Sequence, residues 1–204
     1  GLVDIDKPAG PSEVLVVIND DEYASFAAAE LLAQLEHDPL ASAIAVSEKR
    51  SVLEAIQREF EQQIPTLKRQ SVLQESVNNC VLYQASSAGD MVNAINNIAS
   101  EHLVLLLDEY DFLLEQIDHA GSIFCGPYTP VTLGDYYAGP NHVLPTDRSA
   151  RYASPLGVMD FMKFSTTLRY SKERLASAAS DLKLLTDAEA FDAHYQAVQV
   201  RLDQ

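Results

Sequence analysis

The stretch SEVLVVIND, residues 12–20, decides the fold. From Val14 to Ile18 every side chain is apolar, with no polar residue in alternation. A strand with one face in water alternates in character. An unbroken run belongs to a strand covered on both faces, as in a parallel sheet between two layers of helices. Asp20 and Asp21 follow as N-cap candidates, and FAAAELLAQLEH (26–37) has helical apolar spacing that Pro39 stops. Upstream, LVDI (2–5) reads as another strand, joined to the first by the turn KPAGPSE (7–13).

The same alternation continues downstream. SAIAVS (42–47), NCVLYQ (79–84), HLVLLL (102–107) and AGSIFCG (120–126) read as strands. Between them lie helical patterns at 48–64, 66–77, 90–100 and 110–118. Strands separated by helices of about 10–15 residues are βαβ units, and right-handed crossovers make them one parallel sheet. The expected fold is therefore α/β, a Rossmann-like parallel sheet with helices on both faces and a C-terminal helical tail. From Tyr128 to Leu156 the alternation gives way to a long Pro- and Gly-containing loop, a place where function concentrates. MDFMKFSTTLRYS (159–171) reads as holding a short strand, and two helices, KERLASAASDLKLL (172–185) and AEAFDAHYQAVQVRL (188–202), close the chain. The division falls at 155: residues 1–155 form the sheet domain and 156–204 the tail.

Composition narrows the partners. Thirty acidic residues against fourteen Lys and Arg give a net charge of −16. Such a surface repels a phosphate backbone, so no nucleic-acid partner is expected. No apolar run approaches the roughly 18–20 residues of a membrane span, and no signal peptide is read at the start, so no membrane partner and a cytoplasmic location are expected. Cys80 and Cys125 show no metal or disulfide spacing and read as inert thiols at buried strands.

Several polar residues could carry chemistry. Gln34 and His37, three apart on the first long helix, project about 60° apart and can reach one point. An amide oxygen and an imidazole are half of a borderline metal site, although a solvated helix end has the same spacing. Glu101 and His102 meet at the start of a strand. A carboxylate beside an imidazole is an acid/base pair, yet functional groups of parallel sheets gather at the strands' carboxyl ends. Asp135 and His142 flank GDYYAGPNH, where turn formation is the bland alternative. His119 reads as a helix-terminal residue and His194 as a packing or surface residue. GxGxxG and GxxxxGK[ST] are both absent.

As whole strings, these segments resemble histidinol dehydrogenases. DKPAGPSEVLVV (6–17), AAELLAQLEHDP (28–39), ASEHLVL (99–105), AGSIFCGPYTPVTLGDYYAGPNHVLPT (120–146) and SPLGVMDFMK (154–163) are similar to consecutive landmarks of that family, with Lys7, Leu35 and Asp38 as small departures. The resemblance implies zinc on Gln34, His37, Asp135 and His194, with His194 crossing a homodimer interface. It implies substrate contacts from Ser12, Gln34, His37, His102, Asp135, His194 and Glu189, the last also crossing between chains, with His142 in support. It implies oxidation of L-histidinol through L-histidinal to L-histidine with two NAD+, His102 as the base and Glu101 activating water. On one continuous terminal helix, Glu189 and His194 would stand about 140° apart and could not face one site from one side. Family members are about twice as long. The resemblance therefore implies a chain without the N-terminal half that carries most NAD contacts, and inactive alone. A stand-alone metal-binding dimerisation module, or a metal-dependent hydrolase using Glu101, are the alternatives.

Overall fold

The computed structural model of the chain describes residues 2–3 and 5–203. The chain forms two compact units, Gly1–Phe161 and Met162–Gln204, where the sequence reading placed its division at 155.

In the first unit five strands form one parallel sheet: β1 (Glu13–Ile18), β2 (Ser42–Ser47), β3 (Cys80–Gln84), β4 (His102–Leu106) and β5 (Ser122–Cys125). Their order is β3-β2-β1-β4-β5, so β1 is central and the chain reverses direction across the sheet between β3 and β4. This is the Rossmann-like order that alternating right-handed crossovers generate. The five helices between and around the strands are α1 (Ala24–Leu35), α2 (Arg50–Gln63), α3 (Gln70–Ser76), α4 (Ala88–Ile98) and α5 (Asp111–Leu114).

The apolar run of β1 divides by its period of two. Val14, Val16 and Ile18 pack with Ala28, Leu31 and Leu35 of α1, Ile56 of α2 and Leu73 of α3. Leu15 and Val17 point the other way, against Met91 and Ile95 of α4 and Leu113 of α5. Both faces are buried, which is why no polar alternate is tolerated. Truncating Leu15, with no exposed surface, to alanine would cost about 2–5 kcal/mol.

Several sequence expectations differ from the structure. Leu2, Val3 and Ile5 lie outside the sheet with exposed side chains, so the described residues of LVDI show no strand; Asp4 lies outside the described residues. Residues 159–171 also form no strand. A 3-10 turn, Val158–Phe161, occupies their start, and extended chain with exposed Phe164 and Leu168 follows. His119 follows irregular chain rather than a helix end, because α5 stops at Leu114.

The second unit is a pair of helices, α7 (Lys172–Ala188) and α8 (Asp192–Leu202), numbered after the short α6 (Val131–Tyr136) of the long loop. The expected continuous helix 188–202 is broken. Ala190 takes the left-handed conformation (φ 58°), while Phe191 N–H bonds the Thr186 carbonyl and Ala190 N–H the Asp187 carbonyl. That is a Schellman stop built on alanine instead of the usual glycine, so it leaves no sequence mark. Glu189 caps α7 and His194 belongs to α8, so the 140° separation on one helix does not apply.

Candidate active site at the amino ends of the strands

The candidate residues of the first unit gather at the amino-terminal edge of the sheet, opposite the usual ligand crevice of this fold. Ser12 and Glu13 open β1, Glu101 and His102 open β4, and Gln34 and His37 stand where α1 ends. The register that sets Val14 beside His102 puts Glu13 level with Glu101. Ala99, left-handed at φ 51°, ends α4 and turns the chain sharply into this edge. Gly121 makes room for it: a Cβ there would sit 2.4 Å from the Glu101 carbonyl oxygen.

Glu101 and His102 are both buried, each 6% exposed. The Glu13 N–H donates to Glu101 Oε2 at 3.0 Å, and the nearby Ser12 hydroxyl also favours the charged carboxylate. Burial pushes the Glu101 carboxyl up to about 7, against those donors and with the Glu13 and Asp135 charges adding to the rise. Its proton affinity therefore sits near neutrality, where a general base works best. His102 Nδ1 lies 3.1 Å from the Glu13 carbonyl and 3.5 Å from Glu101 Oε2. A carbonyl only accepts, so Nδ1 carries the proton and neutral His102 keeps a lone pair on Nε2. Burial holds the ring below its ordinary pKa, which outweighs the opposing pull of Asp135. Nε2 faces Asp135 Oδ1 at 3.9 Å, too far for a hydrogen bond.

Ser12, His37, Glu101, His102, Asp135, Tyr136 and His142 line one cavity of about 300 Å³. An adjoining cavity of about 190 Å³ shares His37, Asp135 and Tyr136 and adds Gln34 and Glu30. Asp135 reaches both because α6 follows Pro130, while the ring of Phe124 fills the space beside Gly134. His37 and His142 are exposed and Asp135 is half-buried. Glu189 and His194 belong to the second unit, both exposed, with the His194 ring stacked on Phe191 at 4.9 Å.

Gln34 is 4% exposed, and its Nε2 is the one buried side-chain polar atom without a hydrogen-bond partner among the described residues. An orphaned amide costs about 1–3 kcal/mol, and such groups mark sites that bind something. Amide oxygen, imidazole and carboxylate together are donors that suit zinc. Among the described residues no three His, Cys, Asp or Glu come together as a metal group, so such a site needs the Gln34 amide and a further ligand besides. Dinucleotide binding fits less well. At the carboxyl end of β1, Asn19 fills the crevice with bonds to Ser47 and Glu48, and acidic Asp20, Asp21 and Glu22 stand where a pyrophosphate would need bare N–H groups.

The sequence profile of histidinol dehydrogenases matches residues 1–202. The chain belongs to the histidinol dehydrogenase family. The histidinol dehydrogenase of Listeria monocytogenes serotype 4b (strain F2365) is 43% identical over 205 residues, covering 100% of this chain and 48% of that protein. That of Bacillus cereus (strain ATCC 14579) is 42% identical with the same coverage. The crystal structure of histidinol dehydrogenase from Elizabethkingia anophelis superposes with a TM-score of 0.87 at 32% identity, over 98% of this chain and 46% of that one. The chain thus spans about half the length of these relatives.

Two acidic residues of the site were missed in the sequence. Glu13 opens an otherwise apolar strand, and that contrast was its signal. Glu30 stands one turn before Gln34 on α1, and burial holds it above the ordinary carboxylate range; α1 stops at Leu35, two residues short of the helix expected to reach His37, so His37 lies past the helix end rather than on its face. Its Oε2 accepts the Val131 N–H at 3.4 Å, tying α1 to α6. The two thiols are free and half-buried rather than fully buried, and burial raises Cys80 to about 11.

Proposed function

We propose that this chain is the zinc- and substrate-binding part of a histidinol dehydrogenase, which oxidises L-histidinol through L-histidinal to L-histidine, and that the rest of the protein lies N-terminal to it. The observation that carries this reading is the buried Glu101–His102 pair facing Asp135 and His37 across one cavity. His102 Nε2, unprotonated and aimed inward, takes the alcohol proton as the carbinol is oxidised. Glu101, with its proton affinity near neutrality, removes a proton from the water that attacks the aldehyde. His102, having released its first proton to solvent, then takes the proton of the resulting hydrate as the second hydride leaves. General acid–base groups of this kind contribute about 10²–10⁴-fold each.

Gln34, His37 and Asp135 would hold zinc, with His194 of the partner subunit as the fourth ligand. Zinc, when bound, supplies orientation of the substrate's amine and imidazole. Ser12 and His142 would hold the substrate, joined by Glu189 of the partner subunit. The two hydrides, one from each oxidation, would go to two NAD+, for which we assign no residue of this chain.

The second unit supports a homodimer. Its helices α7 and α8 have no buried residue and leave Leu184 and Leu185 72% and 63% exposed. A helix pair that buries no apolar face needs another surface, and exchange between two copies supplies one. Among the described residues no helix is long and apolar enough to cross a membrane, which suits the cytoplasmic setting expected of such an enzyme.

The deciding experiment supplies the intact protein with zinc, limiting L-histidinol and excess NAD+, and follows NADH absorbance. Two NADH per histidinol are expected, with none from residues 1–204 alone. A yield of one, or none from the intact protein, would overturn the reading.

A further inference from the structure

We infer that Glu13 is the positioning residue of this site, clasping Glu101 from both its main chain and its side chain. Resting on the reaction proposed above, the inference adds a third carboxylate with a distinct duty.

Two bonds run between Glu13 and Glu101 in opposite senses. The Glu13 N–H donates to Glu101 Oε2 at 3.0 Å, and the Glu101 N–H donates to Glu13 Oε1 at 3.2 Å. The Glu13 carbonyl also accepts from His102 Nδ1. One residue therefore fixes the position of the Glu101 carboxylate and the tautomer of His102. The backbone N–H groups of Arg148 and Asp147 also lie near the Glu13 carboxylate and favour its charged form, against the rise that burial causes. Those two residues are consecutive and both left-handed, at φ 63° and 50°. For residues with a Cβ that conformation is disfavoured, and it persists where the surroundings over-determine it. Here it leaves two adjacent N–H groups close enough to one carboxylate to stabilise its charge. A second tie runs alongside, since the Gly10 N–H donates to Thr146 Oγ1 at 2.8 Å. The loop that carries Asp135 and His142 is thus fastened at its far end, through Thr146, to the turn that leads into the residue that holds Glu101.

A glutamine at 13 keeps the shape but points an NH2 group at backbone donors. Glu101 then loses its register, while the main-chain carbonyl that serves His102 remains. The loss falls on the step that uses Glu101. In the intact protein, Glu13→Gln is expected to slow histidinal oxidation at least about tenfold more than histidinol oxidation, with KM for histidinol nearly unchanged. Glu13→Asp, which keeps the charge but reaches less far, is expected to show a smaller loss in the same ratio. Equal slowing of both half-reactions, or no slowing, would overturn the inference. If the glutamine variant fails to fold, the aspartate variant decides by the same ratio. Backbone hydrogen exchange gives a separate readout: the amide of Glu101, bonded to the Glu13 carboxylate, is expected to exchange faster in either variant. Unchanged exchange there would refute the clasp even if the unsubstituted protein oxidised neither substrate, an outcome that would count against the proposed reaction.

Discussion

Replacing Glu101 by glutamine is expected to stabilise the metal-free chain at alkaline pH while removing the base for the second oxidation. The carboxyl has an ordinary value of 4.5 and is pushed up to about 7 by burial. At about 1.4 kcal/mol per tenfold change in proton affinity, keeping it ionised in the folded state costs ~3 kcal/mol. The sign follows from proton counting. Between about 4.5 and 7 the folded chain holds a proton that the unfolded chain has released, so stability falls as pH rises through that window. Below it both states are neutral and the cost vanishes. Glutamine resembles the protonated acid: its oxygen accepts the Glu13 N–H, and its NH2 can donate to the Ser12 hydroxyl. Urea unfolding followed by circular dichroism, with chelator present, should show Glu101→Gln more stable by about 2–3 kcal/mol at pH 8 and by less than ~0.5 kcal/mol at pH 4. Equal stability at pH 8, or a gain that does not change with pH, would refute the burial reasoning.

Other substitutions read different parts of the site. In the intact protein, His102→Asn should slow both half-reactions by about 10²–10⁴-fold, whereas Glu101→Gln should spare histidinol oxidation, as separate half-reaction assays would reveal. Gly121→Ala places a Cβ against the fixed Glu101 carbonyl and should cost about 1–3 kcal/mol in thermal unfolding. Gln34→Leu removes the orphaned amide, so it should stabilise the metal-free chain by about 1 kcal/mol and abolish zinc binding in calorimetry; tight zinc binding by that variant would remove Gln34 from the ligand set. Light scattering should find the chain dimeric and a version ending at Leu185 monomeric, and a monomer in both cases would end the shared-site reading.

The core of the fold was legible in the sequence because burial on two faces forbids polar alternation. The run from Val14 to Ile18, and the helix spacings after it, admit little besides a covered parallel sheet. The helix end at Ala190 was not legible, since that alanine takes a left-handed turn without the glycine that would announce it. The ligand candidates Gln34, His37 and Asp135 stood out only through whole-string resemblance, because each alone matches a turn or a helix end.

What the sequence by itself determined is the set of side chains and the strands and helices that carry them. It could not say that Glu13 and Glu101, 88 positions apart, would hold each other's main chains. That contact exists because β1 and β4 became neighbours in register, and strand order is decided by crossover packing rather than by any local pattern. The same tertiary arrangement turns an ordinary carboxyl into one that titrates near neutrality. Desolvation is a property of what surrounds a group, and in this protein the surroundings come from distant segments: Ser12 and Glu13 on one side, and the loop bearing Asp135 on the other.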